Sequence, residues 1–287
     1  MGELRDRMVQ DMQVRDFSPR TQEAYLAAVR GLAAYYHRGP DLLSDEEVHR
    51  YLLYVREERR LSASTRNQIR CGLKFFYDVT VRRPQAALTV PVARQPQKLP
   101  AILSREEVTS IVEATTTLRH RVLLMVTYGG GLRVSEVTHL RHDDLDRDRQ
   151  LIHVVQGKGQ KDRYTLLARC VLEPLERYQR VYGRPSPWVF PQRLHPERPL
   201  DPTCAQKVYY TAKARADITK VGGIHALRHA FATHLLEAGC DLPTLQRLLG
   251  HGDIKTTMRY LHVTPRTLAE RVSPLDQLVF TQPLPRR

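Results

Sequence analysis

Four side chains that can act on a phosphate group lie in one apolar, helix-prone stretch of the chain, residues 225–260. His225 and Arg228 form an H-x-x-R pattern, His251 follows a Leu-Gly pair, and Tyr260 comes soon after it. Forked guanidinium groups bind phosphate oxygens through pairs of hydrogen bonds. A phenol has a pKa of about 10, so it attacks at neutral pH only beside a base and a positive field. The stretch therefore predicts a nucleophilic tyrosine with its supporting groups.

Two further cations lie upstream of this stretch. Arg133 follows three glycines at the expected start of a helix, and Lys158 lies in a Gly-Lys-Gly turn. A second arginine would complete a clamp on the phosphate, and a lysine on a hairpin tip can donate a proton to a leaving oxygen. A lone lysine in a turn is usually only solvated. With the other five residues, however, it completes a set that we predict converges on one phosphodiester of DNA, which Tyr260 attacks.

Two other kinds of site compete for these residues. His225, His229 and His234 share one predicted helix, but the glutamate of an H-E-x-x-H zinc motif is absent and no third ligand has a fixed spacing. The glycine run before Arg133 lacks both the Walker G-K-[ST] and the G-x-G-x-x-G patterns, which argues against nucleotide binding. We therefore predict that the chain uses no metal and no other cofactor.

Composition favours a nucleic-acid partner. The chain has 287 residues, enough for two domains, and a formal net charge of +14. Strong positive charge attracts polyanions, although it can also serve solubility alone. The four cysteines are scattered without C-x-x-C spacing, the N-terminus has no apolar core of a signal peptide, and no apolar run could span a membrane. These features predict a cytoplasmic, nucleoid-associated protein without a membrane segment.

Residues 1–85 are predicted to form a helical N-terminal domain. Helix starts are indicated by Ser18-Pro19, by the capping box that begins at Ser44, and by Ser62. The third of these helices carries a polar, basic face that suits a phosphate backbone, although such faces are more often only solvated. We predict DNA contacts from its residues Arg66, Asn67, Arg70 and Lys74.

Residues 86–100 are rich in proline and basic side chains and are predicted to form a linker. A capping box at Ser104 then begins a domain over residues 101–287. Its one clear β signal is a hairpin over residues 151–168, with Lys158 at the tip. Lys207, on a later helix, is a further predicted DNA contact. The helix that begins near His225 should bury a stripe formed by Leu227, Phe231, Leu235 and Leu236.

These motifs resemble those of the tyrosine recombinases, also called phage-type integrases. The resemblance rests on the H-x-x-R pair at 225–228, the Leu-Gly-His251 turn with Tyr260 after it, the Gly131-Leu-Arg133 run and the Gly-Lys158-Gly hairpin. It extends over nearly the whole chain, because the N-terminal helices are similar to that family's core-binding domain. Within the family, the runs 233–239 and 256–263 look like the Xer-type and integron branches. The short segment between Leu167 and Trp188 leaves no room for the extra helix of integron integrases.

The resemblance implies a mainly α fold with a small β-sheet: an N-terminal helical bundle and an α+β catalytic domain. It implies site-specific recombination of a mobile element's DNA through a 3′-phosphotyrosyl link, by four protomers on paired double-stranded sites, without ATP or metal. Arg133, Arg228 and His251 would stabilise the transition state, with Lys158 as acid and His225 as base or positioner. Glu136 and His229 would be supporting residues. The tail, residues 264–287, would dock on its own or on a neighbouring protomer.

Two other functions fit the same scaffold. A DNA-binding regulator would need the charge and the fold but not the six site residues. A topoisomerase of the type IB class would use the same tyrosine chemistry without sequence specificity or a tetramer. Because all six residues are present, we expect an active recombinase.

Overall fold

The computed structural model describes residues 2–84, 101–155, 162–183 and 186–260, and the chain divides into two compact units, Met1–Lys98 and Leu99–Arg287. The predicted linker 86–100 and the predicted tail 264–287 lie outside the described residues. The predicted limits of the two domains, 1–85 and 101–287, therefore remain predictions. None of the described helices combines the length and the apolar character that a membrane span needs.

The first unit is a helical bundle. Its helices are α1 (Gly2–Gln13), α2 (Pro19–Tyr36), α3 (Asp45–Glu57) and α4 (Ala63–Phe75), and α4 continues as a π-helical turn over Phe76–Val81 that the sequence did not predict. The three predicted helix starts are confirmed, because the hydroxyls of Ser18, Ser44 and Ser62 each accept a hydrogen bond from the backbone three residues later.

One glycine brings two of these helices close together. A Cβ atom on Gly72 of α4 would lie 3.1 Å from the Cα atom of Tyr25 on α2. Any larger residue would force the helices apart, so the glycine is needed for their packing. The core of this unit is formed by Met8, Met12, Val29, Leu32, Leu43, Val48, Tyr51, Val55, Leu73, Phe76 and Tyr77.

The second unit is mainly helical with a small sheet. The sheet has the order β1 (Leu145–Asp146), β2 (Leu151–Val154), β3 (Arg163–Leu166), and both pairs are antiparallel. The predicted hairpin is confirmed, with His153 opposite Tyr164, whereas the short strand β1 was not predicted. The helices are α5 (Arg105–Glu113), α6 (Leu118–Gly129), α7 (Val134–Thr138), α8 (Arg169–Tyr182), α9 (Pro202–Arg215), α10 (His225–Glu237), α11 (Leu242–Leu249) and α12 (Ile254–Met258).

Helix α10 runs through the middle of this unit. The predicted buried stripe was too narrow. Leu227, Phe231 and Leu236 are buried as predicted, whereas Leu235 is only partly buried. Six further residues of the helix are also buried: Ala226, Arg228, Ala230, Ala232, Thr233 and His234. Small residues on its other faces let α5, α6 and α11 pack against it from several directions. The helix that carries the H-x-x-R pattern is therefore packed on several faces.

Candidate active site

The start of α10 places the side chains of His225, Arg228 and His229 on the candidate site. Arg228 is only 1% exposed, and its Nη1 and Nη2 atoms donate to the carbonyls of Gly131 (2.7 Å) and Leu249 (2.5 Å). Burial and the nearby charge of Arg133 lower the pKa of Arg228 to about 9, so the group is still a cation at neutral pH. Two main-chain carbonyls thus orient a buried guanidinium before any phosphate arrives.

Gly131 makes this arrangement possible. Its φ of +58° is in the left-handed region, and a Cβ atom there would lie 2.3 Å from the ring of Phe231 on α10. The glycine therefore lets the turn after α6 approach α10 closely enough for its carbonyl to reach Arg228. The sequence indicated a turn at this point but not the contact.

Glu136 joins three arginines. Its carboxylate accepts hydrogen bonds from the backbone N–H and Nη1 of Arg133 (2.7 and 2.6 Å) and from both terminal nitrogens of Arg163 (2.8 Å each). Nη1 of Arg228 lies 3.7 Å away. Burial alone would raise the pKa of Glu136, but the hydrogen bonds and charges of Arg163 and Arg133 lower it to about 2. The carboxylate is thus ionised and holds Arg133 at the start of α7.

Arg163 was missed by the sequence interpretation. It is 8% exposed, and its Nε atom donates to the carbonyl of Leu248 at 2.8 Å while its other nitrogens bind Glu136. A Cβ atom on Gly250, where φ is +62°, would lie 2.6 Å from the Cδ atom of Arg163. A signal was present: Arg163 alternates with outward-facing Tyr164 in β3, so a charged residue points to the inner face of the sheet.

His251 is held through both ring nitrogens. Nη2 of Arg228 donates to its Nε2 atom (3.3 Å), and its Nδ1 atom pairs with the hydroxyl of Thr257 (2.9 Å). Because a guanidinium can only donate, Nε2 is the acceptor and the Nδ1 atom carries the proton. Burial, with the charges of Arg228 and Arg133, lowers the pKa of His251 to about 4. The ring is therefore neutral near pH 7.

Tyr260 packs into the same site and is only 5% exposed. Its hydroxyl lies 3.0 Å from Nδ1 of His229, and its ring is parallel to that of His251 at 6.4 Å between centroids. Burial raises the pKa of the phenol, against the opposing effect of the Arg228 charge. The structure thus gives the candidate nucleophile a packed position.

The two histidines at the start of α10 lie differently with respect to the Tyr260 hydroxyl. His225 is exposed, and its ring meets that of His229 edge-on at 4.5 Å between centroids. His229, expected to be a supporting residue, is the one that contacts the phenolic oxygen. Desolvation by neighbouring groups, with the charge of His225 and of Arg228, lowers the pKa of His229 to about 4. Desolvation by the neighbouring groups, with the charges of Arg228 and Arg133, also lowers the pKa of His225.

Neutral His229 and His251 make stability dependent on pH. Their folded pKa of about 4 lies below the unfolded value of about 6.5, so the unfolded chain binds more protons between these values. Stability is then full above pH 6.5 and is lost as the pH falls towards 4, by on the order of 2 kcal/mol per histidine at pH 5. Trp188, the only tryptophan, lies in the second unit and reports its urea unfolding. His229→Gln should shrink the loss between pH 7 and 5, and an unchanged loss would contradict the assignment.

The remaining predicted site residues belong to other elements or to segments outside the described ranges. Lys158 belongs to residues 156–161, which the structure does not describe, although β2 and β3 flank that segment. Lys207 is exposed on α9. The other predicted DNA contacts share α4 in the first unit: Arg66, Asn67 and Arg70 are half-buried, and exposed Lys74 pairs with Asp78 at 2.5 Å. Within the described ranges, no three His, Cys, Asp or Glu side chains are placed to hold a metal ion.

Comparison with known proteins identifies both parts of the chain. Residues 101–267 match the model of the phage integrase family, and residues 4–87 match that of the phage integrase N-terminal SAM-like domain. A putative integrase/recombinase of Sinorhizobium fredii is 39% identical and aligns with 99% of this chain and 92% of its own length. The tyrosine recombinase XerC of Lactobacillus leichmannii is 31% identical, over 88% of this chain and 92% of its own length.

Solved structures agree with this assignment. A crystal structure of XerA recombinase is 26% identical, covers 93% of this chain and 96% of its own, and has a TM-score of 0.55. A lambda integrase dimer bound to a core site shares the fold, with a TM-score of 0.74 at 17% identity and coverage of 93% and 96%. The predicted mainly α architecture with a small sheet is confirmed. The chain therefore belongs to the phage integrase family, whose members include the tyrosine recombinases.

Proposed function

We propose that this chain is a site-specific DNA recombinase that cuts and rejoins DNA of a mobile element through a 3′-phosphotyrosyl link at Tyr260. The observation that carries the proposal is the position of the Tyr260 hydroxyl. It lies in a site that contains buried Arg228 and neutral His251. Glu136 holds the side chain of Arg133 in the same site by a hydrogen bond. A binding module would have no need of this arrangement.

The chemistry follows from these residues. The Tyr260 oxygen attacks phosphorus, the bond to the 5′-oxygen breaks, and Lys158 supplies the proton that the leaving oxygen takes. Arg133 and Arg228 bind the non-bridging oxygens, where negative charge accumulates in the transition state. His225 positions the phosphate, and His251 holds the guanidinium of Arg228 through its Nε2 atom. The new phosphotyrosyl bond replaces one phosphodiester with another, so rejoining needs no ATP, and the two arginines supply the charge that a metal would otherwise provide.

The partner is double-stranded DNA. Solved lambda integrase structures include a dimer bound to a core site and a tetramer bound to a Holliday junction, and we propose the same kind of tetramer on paired sites for this chain. Residues 1–85 would form the core-binding domain, with the α4 face against DNA, and residues 101–287 the catalytic domain. The net charge of +14 supports this assignment. The protein would act in the cytoplasm on nucleoid DNA.

Covalent capture on nicked DNA tests the proposal. Duplexes from the regions that adjoin the gene are nicked just beyond the cleavage point, so that the 5′-hydroxyl fragment diffuses away and the adduct accumulates. Wild type should form a covalent adduct that survives denaturing electrophoresis. Tyr260→Phe removes only the attacking oxygen, so it should form no adduct while its DNA affinity in a mobility-shift assay stays within about threefold. Tyr164→Phe, at an exposed tyrosine of β3, is the matched control and should keep wild-type cleavage.

The other outcomes distinguish the competing functions. Specific binding by wild type without an adduct on any duplex would support a DNA-binding regulator. Adducts on arbitrary sequences, with relaxation of supercoiled plasmid and no recombinant products, would support a topoisomerase. Either result would overturn the recombinase proposal.

A further inference from the structure

The contact between His229 and Tyr260 is not explained by the six-residue site. Nδ1 of His229 lies 3.0 Å from the phenolic oxygen, and in the described part of the chain the hydroxyl has no other hydrogen-bond partner. The phenol is protonated near neutral pH, because its ordinary pKa is about 10 and burial raises it further. Its O–H therefore donates, and Nδ1 of His229 is the acceptor, which leaves the ring proton on Nε2.

The other two histidines of the site are less suited to receive this proton. Both ring nitrogens of His251 are engaged, one by Arg228 and one by Thr257. His225 is exposed at the helix start and meets the ring of His229 rather than the phenol. A general base must lie within hydrogen-bond reach of the proton that it removes. Among the described histidines, His229 meets that condition at Tyr260.

We propose that His229 is a further catalytic residue, whose Nδ1 atom takes the phenolic proton as the Tyr260 oxygen attacks phosphorus. This inference rests on the proposed recombinase function. In the forward step the oxygen–phosphorus bond forms, the bond to the 5′-oxygen breaks, and His229 becomes an imidazolium while Lys158 protonates the 5′-oxygen. In rejoining, the 5′-hydroxyl gives its proton back to Lys158 and attacks phosphorus. The imidazolium then returns its proton to the departing phenolate, so the cycle closes without an external acid or base.

The surroundings of His229 link its basicity to the presence of DNA. The groups that face it are His225 and Arg228 on α10, with Arg259 and Tyr260 after α12, and His251 lies across the tyrosine ring. These neighbours are cationic or neutral, so without DNA the imidazole binds a proton weakly. A bound phosphodiester brings a negative charge that stabilises the imidazolium and raises its pKa. His229 therefore becomes an effective base only when the substrate is in place.

Helix α10 also provides a matched control. His234 is buried on the same helix, and its Nδ1 atom pairs with the hydroxyl of Tyr128 at 2.8 Å, which is the same kind of bond as that of His229. Tyr128 has no part in the proposed chemistry. His234→Gln thus reproduces the structural change of His229→Gln, and a glutamine can hold a hydroxyl by a hydrogen bond but cannot take its proton.

The test measures single-turnover cleavage of nicked DNA as a function of pH. We expect His229→Gln to cleave about 10²–10⁴-fold more slowly than wild type, and His234→Gln to stay within about tenfold of wild type. The wild-type rate should fall at low pH, and the rate of His229→Gln should not. Millimolar imidazole should restore much of the rate of His229→Ala but not that of Tyr260→Phe. With a 5′-phosphorothiolate duplex, whose leaving sulfur needs no proton, Lys158→Ala should recover and His229→Gln should not.

Three results would overturn the inference. One is cleavage by His229→Gln at the rate of His234→Gln with an unchanged pH profile. Another is a loss of cleavage rate in His229→Ala that imidazole does not restore, although DNA binding and the unfolding midpoint reported by Trp188 match wild type. Such a loss would indicate that His229 has a packing role. The third is recovery of the cleavage rate of His229→Gln on the phosphorothiolate duplex. This would show that His229 acts as the acid and not as the base. Wild type without any adduct would instead overturn the proposed function, and the inference with it.

Discussion

Arg228→Lys is expected to lower single-turnover cleavage by roughly 10²–10³-fold, with DNA affinity within about threefold of wild type. The guanidinium of Arg228 binds the carbonyls of Gly131 and Leu249 and the ring of His251, and it still has N–H groups left for a phosphate. A lysine has a single charged nitrogen and cannot span these carbonyls and the phosphate together. The measurement is the rate of adduct formation on nicked DNA at saturating protein.

Arg247→Lys is the control for this substitution. Arg247 is exposed on α11, close in sequence to the residues that Arg228 contacts, and it has no place in the proposed site. We expect it to cleave at the wild-type rate. Equal rates for Arg228→Lys and Arg247→Lys would show that the planar fork is not needed, and the clamp would have to be assigned to Arg133 alone.

Glu136→Gln should reduce the stability of the second unit by about 3–5 kcal/mol, because it leaves buried arginines without their common counter-charge. The carboxylate is 6% exposed and binds Arg163 and Arg133 through four hydrogen bonds. Urea unfolding followed by Trp188 fluorescence reports this unit. The variant should also cleave more slowly, since Arg133 loses the group that orients it.

Glu107→Gln separates the ion network from helix capping. Glu107 occupies the same capping position in α5 as Glu136 does in α7, and each accepts a backbone N–H at 2.7 Å. Its partner Lys220 is 39% exposed, so we expect a cost of at most about 1 kcal/mol. If both variants unfold at the same urea concentration, the cost of Glu136→Gln comes from capping and not from the arginines.

The sequence predicted the parts of this protein that depend on local signals. Ser44 and Ser104 began helices because a capping box is complete within four residues, and the Lys158 turn placed a hairpin between β-prone runs. The family followed from motifs at fixed spacing. Those signals need no knowledge of which elements meet in space.

What escaped prediction depends on contacts between distant segments. Arg163 lies 27 residues from Glu136 and 85 from Leu248, and only the packing of β3 against α11 joins them. His229 differs from His225 by one helical turn, so spacing alone could not show which ring meets Tyr260. The burial of α10 on several faces also exceeded its predicted stripe, because alanines carry no strong pattern of their own.

The end of α11 gives the site a form of mutational robustness. Helix termini leave carbonyl groups without helical partners, and here those of Leu248 and Leu249 receive N–H groups from Arg163 and Arg228. A substitution at either leucine changes a side chain but leaves its carbonyl in place, provided that α11 still ends at Gly250. Evolution can therefore vary the apolar packing here while the arginines keep their orientation, whereas the left-handed glycine tolerates little change.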